Sequence, residues 1–420
     1  MQSFIIKGPT KLEGEISASG SKNAALPIIA ASILASGITT LKNIPDIVDI
    51  QNLLKILEGL GAKTNFENNV LTIDTKDIKS YIPDKKLVKN LRASVLLMGS
   101  ILARFGKVEI PTPGGCFIGP RPIDVHLAGF EALGATITQE KDMYFLEASK
   151  LTGNKFTFGK ISVTATENIL QTAVLSEGES ELRLTAIEPH VTDFCNFLVK
   201  MGAKIDGIGT HFLKVKGVKE LHSVEHEIIP DQIEAGTFAI AGAVGKGELI
   251  VNNFIAEHHD MLLNKFSEMG VNFTLGKNNI TLKQNRALKP INIQTEVYPG
   301  LPTDLQAPFS ILLTQAEGTS NIFETIFEGR LNYLHELNKM GASAIVSNPH
   351  QARIIGPTPL HGTHISGLDL RAGATLIIAS IIAEGTSEIN GAEVIDRGYE
   401  DIVGKLTNIG ANIERKEEEY

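Results

Sequence analysis

LEGLGAK, at residues 57–63, closes a run of apolar residues at helical spacing and leads into a strand-like stretch. The same phrase returns as FEALGAT at 130–136, LVKMGAK at 198–204, FSEMGVN at 266–272, LNKMGAS at 337–343 and LTNIGAN at 406–412. A second phrase precedes each copy: an Ala/Leu/Ile-rich helical run, a glycine, then a strand-like run. Its glycines are Gly37, Gly106, Gly178, Gly247, Gly318 and Gly385. Glycine suits both places because helices commonly end on a residue at positive φ, which glycine adopts without steric cost. Six copies at a period of about 70 residues, each with two helices and several strands, describe an α/β protein built from repeated layers.

Six units divide most simply into two domains of three. The break between the third and fourth falls at Glu225–Asp231 (EHEIIPD), where no long linker intervenes, and a cleft between the halves is the expected place for a ligand. The length of 420 residues agrees with two or three domains, each large enough for its own core. With 43% hydrophobic and 21% charged residues the composition is that of a globular chain, excluding disorder, collagen and coiled coil. A net charge of −9 argues against a general nucleic-acid binder. Two cysteines build no disulfide framework and suit a reducing compartment. The N-terminal stretch MQSFIIKGPTKLEGE has no apolar core of signal-peptide length, and apolar runs such as Ala374–Ala383 fall short of a membrane span, so a cytoplasmic protein is expected.

The residues that open the first helix of each unit carry the chemistry. They read Ser21-Lys22-Asn23, Asn90-Leu91-Arg92, Thr166-Glu167-Asn168, Asp231-Gln232, Thr303-Asp304 and Asp369-Leu370-Arg371. Helix starts hold anions through unpaired N–H groups and the positive dipole end. The Ser, Thr and Asp residues also read simply as N-caps. Cations at a helix start oppose the dipole and need another reason, which singles out Lys22, Arg92 and Arg371. Only ten of the 39 basic residues are arginine, and five of them (Arg92, Arg121, Arg330, Arg371 and Arg397) stand in motif-like contexts. Together they suggest bidentate binding of carboxylate or phosphate, against the plainer reading of surface ion pairs.

PTPGGCFIGPRPID, residues 111–124, reads as a long loop excluded from helix and strand by its glycines and prolines. It carries Cys116, a thiol five residues from Arg121 and open to activation. Cys195, within the helical pattern TDFCNFLVKMG, reads as inert packing. His258-His259-Asp260 lacks metal-ligand spacing, GLGAKT at 59–64 lacks phosphate-loop spacing, and the ERKEEEY tail reads as a solvated terminus. No metal and no redox cofactor is indicated.

SGSKNAALP (19–27), PGGCFIGPRPID (113–124), PTDLQAP (302–308), FEGR (327–330), DLRAG (369–373) and IDRGYE (395–400) occur in one order along the chain. Together they closely resemble the UDP-N-acetylglucosamine 1-carboxyvinyltransferase family of enolpyruvyl transferases, over essentially the whole length. The resemblance implies a two-domain inside-out α/β barrel of six βαβαββ repeats. It assigns residues 1–21 with 230–420 to one domain and 22–229 to the other. It implies transfer of the enolpyruvyl group of phosphoenolpyruvate to the 3′-hydroxyl of UDP-N-acetylglucosamine with release of phosphate, the first committed step of peptidoglycan synthesis. By the same resemblance Cys116 is the general acid and covalent adduct site, the target of fosfomycin, and Asp304 is the base. Lys22, Arg121 and Arg397 hold the phosphate side of phosphoenolpyruvate, and Arg92, Arg330 and Arg371 supply the other cations. Asn23, Asp304 and Ile326 contact the sugar nucleotide, while its uridine diphosphate lies along Arg121, Pro122, Ile123, Asp124 and Val125 and along Lys160, Ser162 and Val163. Asp369 moves a proton or orients Lys22. Position 164 is Thr where the family pattern leads one to expect Gly. A monomer without nucleic-acid or membrane partners is implied, with the Cys116 loop closing over the ligands. The sister family acting on shikimate 3-phosphate, and a non-catalytic binding protein on the same fold, are the alternatives.

Overall fold

The computed structural model describes residues 2–114, 121–284 and 287–417. They form two compact units, one of residues 20–229 and one joining residues 2–19 to 230–417.

In the unit of residues 20–229 three helices, Lys22–Ala31, Leu97–Phe105 and Val163–Ala173, pack against one another. Ala24 through Ala31 are buried without a break, as expected for a helix surrounded by protein, and Ala165 through Ala173 are buried likewise although they include Glu167, Asn168 and Gln171. Three sheets flank them. Their strand orders are Glu225–Glu227, Ile38–Lys42, Val70–Asp74, Lys63–Glu67; then Lys107–Pro111, Met143–Glu147, Thr136–Glu140; then Lys204–Asp206, Phe212–Lys216, Glu179–Arg183, Lys155–Thr157. Alternation puts one face of each strand into the core: Leu71 and Ile73 of Val70–Asp74 are fully buried between more exposed neighbours. Each such side chain contributes roughly 1.5–3 kcal/mol.

The other unit repeats the plan with inner helices Gln232–Val244, Thr303–Thr314 and Leu370–Ile382 and three four-stranded sheets. Helices inside and sheets outside are the inside-out arrangement expected. The start of the chain completes this unit. Strand Gln2–Gly8 pairs antiparallel with both Gly385–Asn390 and Ile413–Glu417, and Gly14–Ser17 pairs parallel with Leu249–Asn252. Ser19 is tied in by its N–H to Glu234 Oε2 (2.7 Å), and its carbonyl accepts from Asp231 N–H (2.8 Å).

All six glycines of the LGA-type phrases have positive φ, from 82° at Gly270 to 112° at Gly61. Gly247, in the second phrase, does not, and it is required for another reason. A Cβ there would lie 1.9 Å from the Leu12 carbonyl oxygen, so a side chain would push the N-terminal strand away. Among the described residues no helix is long and apolar enough to cross a membrane.

Candidate active site

In each unit the starts of the inner helices gather at one end. In the unit of 2–19 and 230–417, Asp231 and Asp369 cap their helices, each accepting two backbone N–H bonds, and Asp304 lies in the first turn of Thr303–Thr314. Arg371 Nε donates to Asp304 Oδ2 (3.1 Å), and Arg330 Nη2 donates to Asp304 Oδ1. Arg330 also reaches Thr303 Oγ1 (3.2 Å) and Asp369 Oδ1 (3.8 Å). Both guanidinium side chains are 5% exposed, whereas the Asp304 side chain is 25% exposed, so the carboxylate is the open end of the cluster. Burial works against the charge on Arg371, but Asp304, Tyr399 and Asp231 together raise its pKa above the ordinary guanidinium value. Thr303 Oγ1 donates to the buried Glu324 (2.9 Å), whose other oxygen accepts from the Ile326 and Phe327 N–H groups. That fixes the turn presenting Ile326, whose side chain is exposed. Arg397 is half-buried on the segment after helix Ala392–Ile395.

In the unit of 20–229, Ser21 caps the first helix by accepting from Ala24 N–H, placing Lys22 and Asn23 in its first turn. Lys22 Nζ lies 3.0 Å from the buried Asp49 of the next helix, Val48–Leu60. Arg92 opens a short 3-10 turn, Arg92–Leu96, ahead of the inner helix, and its Nη2 donates to the Arg121 carbonyl. Pro122 is exposed, Ile123 and Val125 are buried, and Asp124 begins helix Asp124–Ala132. Lys160 is exposed, Ser162 caps Val163–Ala173, and Val163 is its first residue. The third unit's helix therefore begins one turn before the expected Thr166-Glu167-Asn168, because Ser162 captures the Ala165 N–H first. Those three residues are wholly buried, and burial followed by the nearby Glu188 pushes the Glu167 pKa well up. The expected loop 111–124 is also shorter at both ends, since Pro111 finishes a strand and Asp124 starts a helix. Cys116 lies outside the described residues.

Pro27 and Pro308 occupy the same place in the first inner helix of the one unit and the second of the other. Lacking an N–H, they cannot bond the carbonyls four residues earlier, which belong to Asn23 and Asp304. Both backbone oxygens thus stand outside the helical ladder.

Several partners escaped sequence reasoning: Asp49, Glu324, Tyr399, and His126, whose ring meets the Thr164 hydroxyl. His126 is buried beside Arg92 and Arg121, and desolvation followed by those charges lowers its pKa to about 3. Among the residues set aside, His259 stacks on Phe254 with both ring nitrogens facing carbonyls (2.8 Å each), and burial pushes the Cys195 thiol up to about 12. Among the described residues no three His, Cys, Asp or Glu side chains are placed to hold a metal.

The EPSP synthase (3-phosphoshikimate 1-carboxyvinyltransferase) family profile matches residues 6–406. The UDP-N-acetylglucosamine 1-carboxyvinyltransferase of Halothermothrix orenii is 45% identical over 415 residues, covering 99% of this chain and 100% of the relative. UDP-N-acetylglucosamine 1-carboxyvinyltransferase 2 of Bacillus subtilis is 44% identical over 418 residues, covering 99% and 97%. The chain belongs to this transferase family. The family resemblance read from the six motifs is thereby borne out. Among solved structures, the enolpyruvyl transferase NikO from Streptomyces tendae superposes with a TM-score of 0.90 at 24% identity, covering 99% of both chains. EPSP synthase from Acinetobacter baumannii gives 0.75 at 19% identity, covering 99% of this chain and 100% of that one. At these identities the two structures establish the enolpyruvyl transferase fold.

Proposed function

We propose that the chain transfers the enolpyruvyl group of phosphoenolpyruvate to the 3′-hydroxyl of UDP-N-acetylglucosamine, releasing phosphate, in the cytoplasm and as a step committing to peptidoglycan. The observation that carries this reading is Asp304, a part-exposed carboxylate fixed by two buried guanidiniums at a helix start. A base for a sugar hydroxyl must be oriented and reachable, and this carboxylate is held by both guanidiniums at the open end of the cluster.

Phosphoenolpyruvate becomes electrophilic at C2 only when its methylene carbon takes a proton. Cys116 supplies that proton, and the sugar 3′-oxygen adds to C2 while its own proton passes to Asp304. The C2–O bond to phosphate then breaks, phosphate leaves with the bonding pair, and the methyl carbon gives back a proton to restore the double bond. Lys22, Arg121 and Arg397 take the phosphate side, because several cations must converge on a trianionic substrate. Arg330 and Arg371 act through Asp304 and complete the positive set. Arg92, with Arg121–Val125 and Lys160, Ser162 and Val163, takes the uridine diphosphate, while Asn23 and Ile326 contact the sugar. Asp369, 3.8 Å from Arg330, moves a proton or orients Lys22.

The test is phosphate release from phosphoenolpyruvate with UDP-N-acetylglucosamine and, in parallel, with shikimate 3-phosphate. Release with the sugar nucleotide alone is expected. Release with shikimate 3-phosphate alone would transfer the chain to the sister activity, and release with neither would favour a binding protein.

A further inference from the structure

Thr164 stands at the second position of helix Val163–Ala173, where its backbone N–H and that of Val163 precede the intrahelical ladder. Its hydroxyl belongs to a chain of hydrogen bonds with a definite direction. Gly99 N–H donates to Asn168 Oδ1 (2.9 Å), which fixes the amide orientation, because an N–H can only donate. Asn168 Nδ2 then faces the Val95 carbonyl (2.8 Å) and His126 Nδ1 (2.8 Å), so its two protons are both committed. The close approach needed for this is made by Gly99, where a Cβ would lie 2.4 Å from the Asn168 carbonyl oxygen.

His126 Nδ1 is therefore an acceptor. Burial and the two nearby guanidiniums keep the ring neutral at any pH above about 3, so its one proton sits on Nε2. Nε2 lies 3.2 Å from Thr164 Oγ1 and donates to it. Among the described residues the Thr164 hydroxyl bonds to His126 alone. Its own proton is thus left to point away from the ring, and the residue is partly exposed.

The surroundings say what such a donor is for. The guanidiniums of Arg92 and Arg121 act on the same imidazole. Lys160 lies at the same helix start, as do the N–H groups of Val163 and Thr164, which have no backbone partner among the described residues. Cations, backbone donors and one outward hydroxyl suit an anion with several oxygens. We propose that Thr164 is a further binding residue, donating its hydroxyl proton to the diphosphate of the sugar nucleotide, and that His126 and Asn168 are positioning residues that turn that proton outward. This rests on the nucleotide reading given under the proposed function.

The experiment is calorimetric titration of UDP into the wild-type chain, Thr164→Val and Thr164→Ser, with steady-state kinetics on all three. Valine keeps the shape and removes the donor, and serine keeps the donor. Thr164→Val is expected to bind UDP about tenfold more weakly and to raise the KM for UDP-N-acetylglucosamine alike. Its KM for phosphoenolpyruvate should stay at the wild-type value, and Thr164→Ser should restore UDP binding. Equal UDP affinity in wild type and Thr164→Val overturns the proposal, as does a serine variant as weak as valine or an equal loss for both substrates. A wild-type chain that binds neither UDP nor UDP-N-acetylglucosamine overturns the nucleotide reading itself, and this inference with it.

Discussion

The two units place opposite charges at the starts of their inner helices. Residues 230–417 bring Asp231, Asp304 and Asp369 there, where carboxylates are favoured by the dipole, and balance them with the buried Arg330 and Arg371. Residues 20–229 bring Lys22 and Arg92, which oppose the dipole, with Arg92 bonded to the Arg121 carbonyl and Asp49 as a buried counter-charge to Lys22. The backbone is otherwise alike, down to Pro27 and Pro308 at matching places. The first arrangement is electrostatically complete and holds one carboxylate rigid. In the second the cations oppose the dipole, at roughly 0.3–1 kcal/mol each, and under the proposed function an anionic ligand offsets that cost. Under the proposed function, one fold thus supplies a fixed base in one unit and anion-binding positions in the other.

The strongest way to break this contrast is at the carboxylate. Asp304→Asn should lower turnover in the phosphate-release assay by about 10²–10⁴-fold while UDP titration stays unchanged. Near-wild-type turnover would reduce the acidic cluster to a structural device. Cys116→Ala should fall by a similar factor, and the fosfomycin adduct expected by intact mass in the wild type should be absent from it.

A second comparison sets one arginine of each unit against the other. Arg330→Ala leaves Asp304 with one guanidinium and should destabilise the fold by about 3 kcal/mol, a low figure for a buried pair because Arg371 stays and Asp304 is part-exposed. Arg92→Ala should leave the melting temperature nearly unchanged and weaken UDP binding about tenfold. Matching losses of stability in both variants would contradict this contrast between the two units.

The smallest effect concerns Glu167, whose pKa is raised well above the ordinary carboxyl value by burial and then Glu188. A carboxyl raised in the fold stays protonated there after the unfolded chain has released its proton. Its contribution is therefore complete below the unfolded pKa of about 4.5 and is lost as pH climbs toward the folded value. Thr166 and Asn168 flank it in the same buried turn. Glu167→Gln should melt progressively higher than wild type from pH 5 to pH 8 and equal to it near pH 4. A constant difference across that range would mean the side chain does not titrate as argued.

Much of the fold is legible in the sequence because its signals are local. A glycine that ends a helix at positive φ and a Ser or Asp that caps one act within three or four residues, so Gly61 and its five counterparts, Ser21, Asp231 and Asp369 could be read directly. The same range explains the misreading at Thr166: Ser162 and Thr166 are both competent to start a helix, and only the packed turn decides between them. Gly247 was identified as a helix-ending glycine, yet its constraint comes from the Leu12 backbone, which no local pattern reveals.

The sequence alone determined the six repeats, the family through its motifs, and the set of cations and carboxylates at the helix starts. Tertiary structure alone decided the partners: that Asp304 is gripped by one arginine of its own repeat and one of the next, that Lys22 faces Asp49, and that His126 aims the Thr164 hydroxyl. The reason is one of range. Backbone preferences and caps are short-range interactions encoded along the chain. Ion pairs and hydrogen-bond direction depend on distances of about 3 Å between side chains that only the packing of helices and sheets brings together.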